Sequence, residues 1–426
     1  MERDVSTGSE PYIVVSSDTH AGLQCEEYRP YLESSLHEEF DRYVAERHAH
    51  RRIAEELNAE FIAEWEGDNE WGLQGAYDPE VRDPVLDADG VAGEIIFADG
   101  EALTGQESPP FGAGLAAGQI TDPRLAFGGA RAHNRWLEEF CATDPVRRAG
   151  VALVPITHDV DLAVAEIESL AGKPGIKGIM VPTMWHGFPA YGTDHYDRVW
   201  AACAETGLVV HTHSGEADFD AYGDNVAMYI SEVPFWTHRI LWQLLFSGKF
   251  DRFPDLRYAV VECGSYWIGD LLWKTDVNFG ASWKVKKMGT RMKGLISRLP
   301  SEYFGSNVFI GASTMSTEEV RRRHVNGIDA LMWGTDYPHP EGSWPNTVER
   351  LEKDFQDVSI EDTRRLLGLN AIDCYGLDEA GLRVVADRIG PTPETLGQSP
   401  DLRTPADAVE KARWWIGEYG CEMQYA

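Results

Sequence analysis

Residues 207–213 read GLVVHTH, a run of apolar side chains that ends in two histidines and continues into Ser214 and Gly215. An unbroken Leu/Val run of this length is the pattern of a strand buried on both faces, as strands are in parallel sheets. Seven further short runs are strand candidates, several of them equally apolar: 12–17 (YIVVSS), 93–98 (GEIIFA), 149–155 (AGVALVP), 175–181 (GIKGIMV), 257–263 (RYAVVEC), 307–311 (NVFIG) and 328–335 (IDALMWGT). Between them lie stretches of helical period, such as 159–171, 196–206 and 236–248, each closing near a Gly or Pro. Eight strands in a βα rhythm predict an α/β fold, the (β/α)8 TIM barrel. An open doubly wound sheet is the competing arrangement, but no GxGxxG follows the first strand.

Two regions exceed a minimal barrel. Residues 21–90 read as a long, charge-rich and partly helical insertion after the first strand, so the barrel is expected to span 1–377. Residues 378–426 read as a C-terminal extension, turn-rich and then helical, in which Trp414 and Trp415 could anchor on the same chain or on a second subunit. The 426 residues are 43% hydrophobic and 25% charged, as in an ordinary globular protein. With 38 Lys+Arg against 70 Asp+Glu the formal charge is -32, which repels phosphate backbones and anionic lipid, so neither nucleic acid nor membrane is an expected partner. The six cysteines show no CxxC spacing, which excludes a zinc ribbon. The stretch MERDVSTGSEP has no apolar segment, and no run approaches 18 apolar residues, so a cytoplasmic location is expected.

The chemistry-bearing residues sit where strands end, the face on which barrels build active sites. SSDTHAG places Asp18 and His20 two residues apart, on one face of an extended chain and able to converge on a metal, although a DxH also fits a capped turn. His211 and His213 share a face in the same way, and buried imidazoles need partners. Glu262 closes a wholly apolar run, where a carboxylate is costly unless it meets a cation or a donor. WGTDYPHP supplies Asp336 and, after a short turn, His339. Imidazole and carboxylate together suit zinc, manganese or iron. Cys263 should face away from Glu262 as a buried core thiol.

These segments resemble the amidohydrolase superfamily, in particular the amidohydrolase-related group that includes aminocarboxymuconate semialdehyde decarboxylase and γ-resorcylate decarboxylase. The likeness runs from about residue 12 to about 376 through SSDTHAG, DADGVAGEIIF, KGIMVP, YDRVWAACAETGLVVHTHSG, LLFSGKFDRFPDLRYAVVECG and, most specifically, GTDYPHPEGSWPNT. It implies a distorted barrel with one or two divalent metals at the strand ends. Asp18 and His20 match the first-strand acid-x-His pair, His213 the strand-five ligand with His211 as its neighbour, and Asp336 and His339 the residues of the strand-eight turn. Two departures stand out. Glu262 occupies the place of a strand-six histidine, and strand four ends in MVP without a bridging lysine, since Lys177 lies at the wrong end. A second metal would then need Glu262 or Glu101 as its bridge. His238, in WTHRILWQLL, would enlarge the ligand set beyond what one metal requires.

The expected function is a metal-dependent hydrolase or decarboxylase acting on a small carboxylate or carbonyl compound. Zinc or manganese would polarise the substrate or activate water, Asp336, His339 or Glu262 would serve as catalytic groups, and Trp185 and His186 could line the pocket. The competing readings are a dinuclear iron or manganese–iron oxygenase on the same barrel, as in a few relatives of the group, and an inactive partner subunit. The expected partners are a small-molecule substrate and a second copy of the chain or a related subunit.

Overall fold

A computed structural model describes residues 10–99, 108–115, 120–183, 187–217, 222, 225–282, 294–405 and 408. Glu101, Trp185, His186, Trp414 and Trp415 lie outside the described residues. Eight parallel strands follow one another around a single sheet in sequence order: β1 (Val15–His20), β2 (Gly93–Phe97), β3 (Arg148–Leu153), β4 (Ile176–Met180), β5 (Val209–His213), β6 (Tyr258–Val261), β7 (Val308–Ser313) and β8 (Leu331–Gly334). Every predicted run overlaps a strand. The first begins three residues later than the sequence suggests, which puts Asp18 and His20 inside β1 rather than after it.

The helices start where short side chains cap them. In the insertion, α1 (His37–Leu73) is followed by α2 (Pro79–Ala88), whose N-cap Asp78 accepts a hydrogen bond from the Glu80 amide. Asp122 and Pro123 open α3 (Pro123–Ala142) in the same way, and Asp159 caps α4 (Val160–Leu170). α5 (Asp197–Thr206) ends on left-handed Gly207, which turns the chain into β5. α6 (Val226–Phe246) begins ten residues earlier than its sequence period indicates and runs through Pro234. The remaining helices used below are α7 (Ile268–Ser282), α8 (Thr317–Arg321), α9 (Thr347–Phe355), α10 (Asn370–Tyr375) and α11 (Glu379–Ile389). Among the described residues no helix is long and apolar enough to cross a membrane.

Alternation along the strands separates two cores. Val15, Ile95, Val151, Val209, Ala259, Phe309 and Met332 fill the barrel interior, whereas Val14, Ile96, Ala152, Val210, Val260, Ile310 and Trp333 face the helical shell. From the residues beyond β8, Tyr375 on α10 and Leu382 and Ala386 on α11 join the inner core and close the end of the barrel at which the strands begin. The Cβ of any residue replacing Gly93, the first of β2, would fall 2.7 Å from the Leu382 side chain.

β1 carries a bulge. Its register against β2 advances three residues, Ser16 to Thr19, while β2 advances two, Glu94 to Ile96. The extra residue reverses which face the side chains take, so Val15 points inward and so do Asp18 and His20. Around the seam to β8, serine hydroxyls replace part of the ladder: Ser17 Oγ donates to the Met332 carbonyl at 3.2 Å, and Ser16 Oγ accepts from the Thr335 amide at 2.8 Å.

Outside this seam, Arg82 on α2 is fully buried. It pairs with Glu94 through two 2.8 Å bonds, donates to the carbonyls of Gly75 at 2.8 Å and His20 at 3.1 Å, and lies 4.8 Å over the Tyr337 ring. A buried charge left without its partner costs more than the intact pair contributes. Arg82→Met should therefore lower unfolding stability by about 3–5 kcal/mol in denaturant titrations, and adding Glu94→Gln should recover part of that loss. An Arg82→Met chain as stable as the parent would contradict this role.

Candidate metal centre

Five strand ends deliver side chains to one end of the barrel. Asp18 and His20 come from β1, His213 from β5, Glu262 follows β6, Ser313 ends β7, and Asp336 and His339 follow β8. Asp18, His20, His213, Asp336 and His339 are buried, while the Glu262 side chain retains 23% of its exposure.

Each of the three histidines gives one ring nitrogen to the backbone. His20 Nδ1 lies 2.8 Å from the Ala98 carbonyl, His213 Nδ1 2.9 Å from that of Ser214, and His339 Nε2 3.1 Å from that of Asp99. A carbonyl only accepts, so those nitrogens carry the proton and the tautomers are fixed. The opposite nitrogens then present lone pairs, and each faces a carboxylate oxygen. His213 Nε2 is 3.1 Å and His20 Nε2 3.4 Å from Asp18 Oδ1, His20 Nε2 is 3.2 Å from Asp336 Oδ1, and His339 Nδ1 is 3.1 Å from the same oxygen. His20 Nε2 and Asp336 Oδ1 are buried without a hydrogen-bond partner among the described residues.

Lone pairs facing lone pairs in a water-poor site require a positive charge between them, either a proton or a metal ion. With protons alone, burial disfavours a charged His20, but the Asp18 and Asp336 carboxylates outweigh it and raise His20 well above the ordinary imidazole range. Burial likewise disfavours ionised Asp18 and Asp336, and the charges and hydrogen bonds of His213, His20 and His339 hold both below the ordinary carboxylate range. Glu262 is pushed up to about 8, by burial first and then by the nearby Asp336 charge, despite His213 Nδ1 at 3.1 Å from its Oε2.

Asp18, His20 and His213 form one group able to hold a cation, and His20, Asp336 and His339 a second. Two other histidines stand outside these groups. His211 points into the barrel one layer below, its Nδ1 on the Ile179 carbonyl at 3.0 Å and its Nε2 on the Tyr375 hydroxyl at 2.8 Å, and it stays out of the cluster. His238 does not join either: Trp242 Nε1 donates to its Nδ1 at 3.2 Å, and its ring stacks on Trp267 at 4.1 Å, between α6 and α7. Lys177 Nζ reaches back to the Gly376 carbonyl, far from the strand ends. The sequence pattern gives no signal for Ser313 or Glu341, which also reach the site. Ser313 Oγ donates to Asp18 Oδ2 and leaves Oδ1 turned to the histidines, and Glu341 joins Glu262, Asp336 and His339 in a further group.

The sequence profile of the amidohydrolase family matches residues 106–377. The chain belongs to this family. A comparison with curated protein sequences gives no match. Among solved structures, this chain is similar to a 5-carboxyvanillate decarboxylase from Novosphingobium aromaticivorans, complexed with manganese and 4-hydroxy-3-methoxy-5-nitrobenzoic acid: TM-score 0.62 and 19% identity over 88% of this chain and 100% of the other. The 5-carboxyvanillate decarboxylase of Sphingomonas paucimobilis gives 0.59 and 19% over 86% and 100%. A dihydroxybenzoic acid decarboxylase from a Polaromonas species, with manganese and 2-nitroresorcinol bound, gives 0.57 and 17% over 88% and 99%. At these identities the likeness is one of fold.

The position of His238 has a measurable consequence. Burial lowers its pKa to about 4, so the folded chain refuses a proton that the unfolded chain accepts below about 6.5. Stability contributed by keeping it neutral is complete above that pH and is lost as the pH falls towards 4. Replacing His238 by Gln should leave bound metal unchanged and flatten the fall in unfolding free energy between pH 6.5 and 5 by up to about 1.4 kcal/mol per pH unit. Loss of metal in that variant would restore His238 to the ligand set.

Proposed function

We propose that this amidohydrolase is a divalent-metal-dependent decarboxylase of a small hydroxyaryl carboxylate. The observation that carries the metal is the set of three imidazoles whose backbone-fixed tautomers aim lone pairs at Asp18 and Asp336. In this reading Asp18, His20 and His213 hold the ion with Asp336 as the fourth ligand, and the carbonyl partners of the rings act as the outer shell that orients them. Zinc, manganese and iron all suit such nitrogen and oxygen donors. Manganese is favoured because two of the three decarboxylase structures named above hold manganese, and the same comparison favours loss of carbon dioxide over hydrolysis.

When bound, the ion supplies Lewis-acid polarisation of the substrate's oxygen atoms. The chain supplies the rest. Ser313 fixes the rotation of Asp18, and His339 fixes Asp336. Asp336, ionised at ordinary pH and beside the reacting group, is placed to take up a proton and return it to the ring carbon as the bond to the carboxylate breaks. The balance is one proton consumed and one carbon dioxide released per turnover. Burial of the donor set keeps bulk water from competing for the developing charge.

The test is a panel of ortho-hydroxybenzoates assayed for carbon dioxide release before and after chelation. Activity should vanish on chelation and return with Mn2+. His20→Ala should weaken metal binding by more than the roughly 10–100-fold expected for loss of an outer-shell partner, with the far-ultraviolet spectrum retained. Full metal occupancy in His20→Ala would sink the ligand assignment, and hydrolysis of an ester or amide without any decarboxylation would replace the lyase reading with the hydrolase one.

A further inference from the structure

We propose that residues 113–115, clamped by Asp99, form an apolar wall over the β2–β4 side of the mouth, and that Leu115 on this wall decides which ring substituents a substrate can carry. The proposal rests on the decarboxylase reading given above and adds the shape of the molecule that such a site admits.

The cation donors occupy one side of the ring of strands. They come from β1, β5, β6 and β8, with Ser313 from β7. β3 and β4 instead run out into Leu153-Val154-Pro155 and Met180-Val181-Pro182, all apolar and buried. A molecule whose carboxylate and hydroxyl meet an ion at the donors has this other side left for its remaining ring edge.

The segment 113–115 lies over that side. Ala113 belongs to the inner core together with Leu153 and Met180, and Leu115 and Ile120 pack against the same core. The Leu115 amide donates to Asp99 Oδ2 at 2.6 Å, just past β2. Leu115 also meets the chain beyond β5, since a Cβ on Gly215, two residues after His213, would fall 3.1 Å from the Leu115 Cβ. The wall therefore reaches from the end of β2 to the end of β5, across the ends of β3 and β4. Further along, the Ile120 carbonyl accepts a hydrogen bond from His158 Nε2 at 2.5 Å.

Asp99 is the clamp. A Cβ at Gly114 would run into its carboxylate, so only glycine lets the segment come this close. Asp99 has a φ of 62°, a conformation that Asp, Asn and Gly adopt more readily than other residues. Its carbonyl accepts from His339 Nε2 at 3.1 Å, so one residue ties the wall to the ring that flanks Asp336. Asp99 acts here as a positioning residue, and Leu115, which stays half-buried, is the side chain left to meet the substrate.

The space along the wall is small. Ala113, Gly114, Ile120, Leu153, Met180 and Pro182 border a cavity of about 10 Å3, the lower limit for one water molecule, and its lining is apolar. A ring edge bearing hydrogen or one methyl group fits against such a surface, and a branched alkyl group overpacks it.

The experiment uses the full chain loaded with Mn2+ and 2-hydroxybenzoates that carry hydrogen, methyl or isopropyl para to the carboxylate or para to the hydroxyl. In the parent, isopropyl at one of these positions should lower kcat/KM by at least about tenfold relative to hydrogen. Leu115→Ala should recover about tenfold of that loss, chiefly through KM, and Leu115→Phe should extend the penalty to methyl. Asp99→Gly, which accepts the positive φ and removes the clamp, should relax the selection as Leu115→Ala does. Asp99→Asn, which keeps an acceptor for the Leu115 amide, should retain the parent ratio. Manganese per chain should be the same in all of these proteins. A parent that takes isopropyl as readily as hydrogen, or a Leu115→Ala chain with the parent ratio, would overturn the wall while leaving the decarboxylase reading intact. Manganese lost in Asp99→Gly would assign Asp99 to holding the ion through His339 and overturn its part in selection. No carbon dioxide from any of these compounds in the parent would remove the decarboxylase reading and the wall with it.

Discussion

Two main-chain hydrogen bonds close the barrel and build its mouth at the same time. The Asp336 amide donates to the Asp18 carbonyl at 2.9 Å, and the His20 amide donates to the Tyr337 carbonyl at 2.7 Å. The residues that complete the ring of strands are therefore the ones whose side chains meet inside it, and the distance between the Asp18 and Asp336 carboxylates is set by sheet geometry rather than by a flexible loop. The β1 bulge is the condition for this arrangement. A slip of one residue along β1 would turn Asp18 and His20 towards the helical shell. Arg82 guards the same register from outside, since it holds the His20 carbonyl, Glu94 and the face of Tyr337 together.

The backbone around the mouth is bent in a consistent way. Asp99, Glu262, Thr314 and Asp336, just past β2, β6, β7 and β8, all have positive φ, at 62°, 56°, 45° and 62°. Such conformations cost on the order of 1–3 kcal/mol each for residues with a side chain, and most for a branched one such as Thr314. At Glu262 the effect on direction is plain. Val261 faces the interior, so a continued strand would send the next side chain outward. The left-handed turn instead swings the Glu262 carboxylate over to His213 and leaves Cys263 in the outer core. Strain of this kind persists because packed strands on either side over-determine the path of the chain.

Much of this was readable in the sequence because doubly buried strands leave an unbroken apolar trace. The eight runs locate the eight strands, and the ligand-type residues that interrupt them locate Asp18, His20, His213, Glu262, Asp336 and His339 at one end. What the sequence does not carry is direction. Nothing in YIVVSSDTH marks Ser17 and Asp18 as a bulge, so the shared face of Asp18 and His20 was legible and the register shift that turns it inward was not. His238 lies only 25 residues after His213 but on a helix that packs away from the mouth, a fact of tertiary placement. Glu341 and Ser313 are a turn glutamate and a strand serine, residue types so common at such positions that spacing alone gives them no weight. His211 shares the face of His213 as expected, and its depth, one layer down, follows from strand rise once the barrel is closed.

Among the described residues, the packing of Tyr375, Leu382 and Ala386 into the lower core closes the interior where the strands begin and gives it the form of a well instead of a conduit. His211 is tied to that floor through the Tyr375 hydroxyl. Whatever enters must leave over the rim it crossed on the way in. Arrival and departure therefore compete for one doorway, so a departing molecule has to clear the mouth before the next can settle.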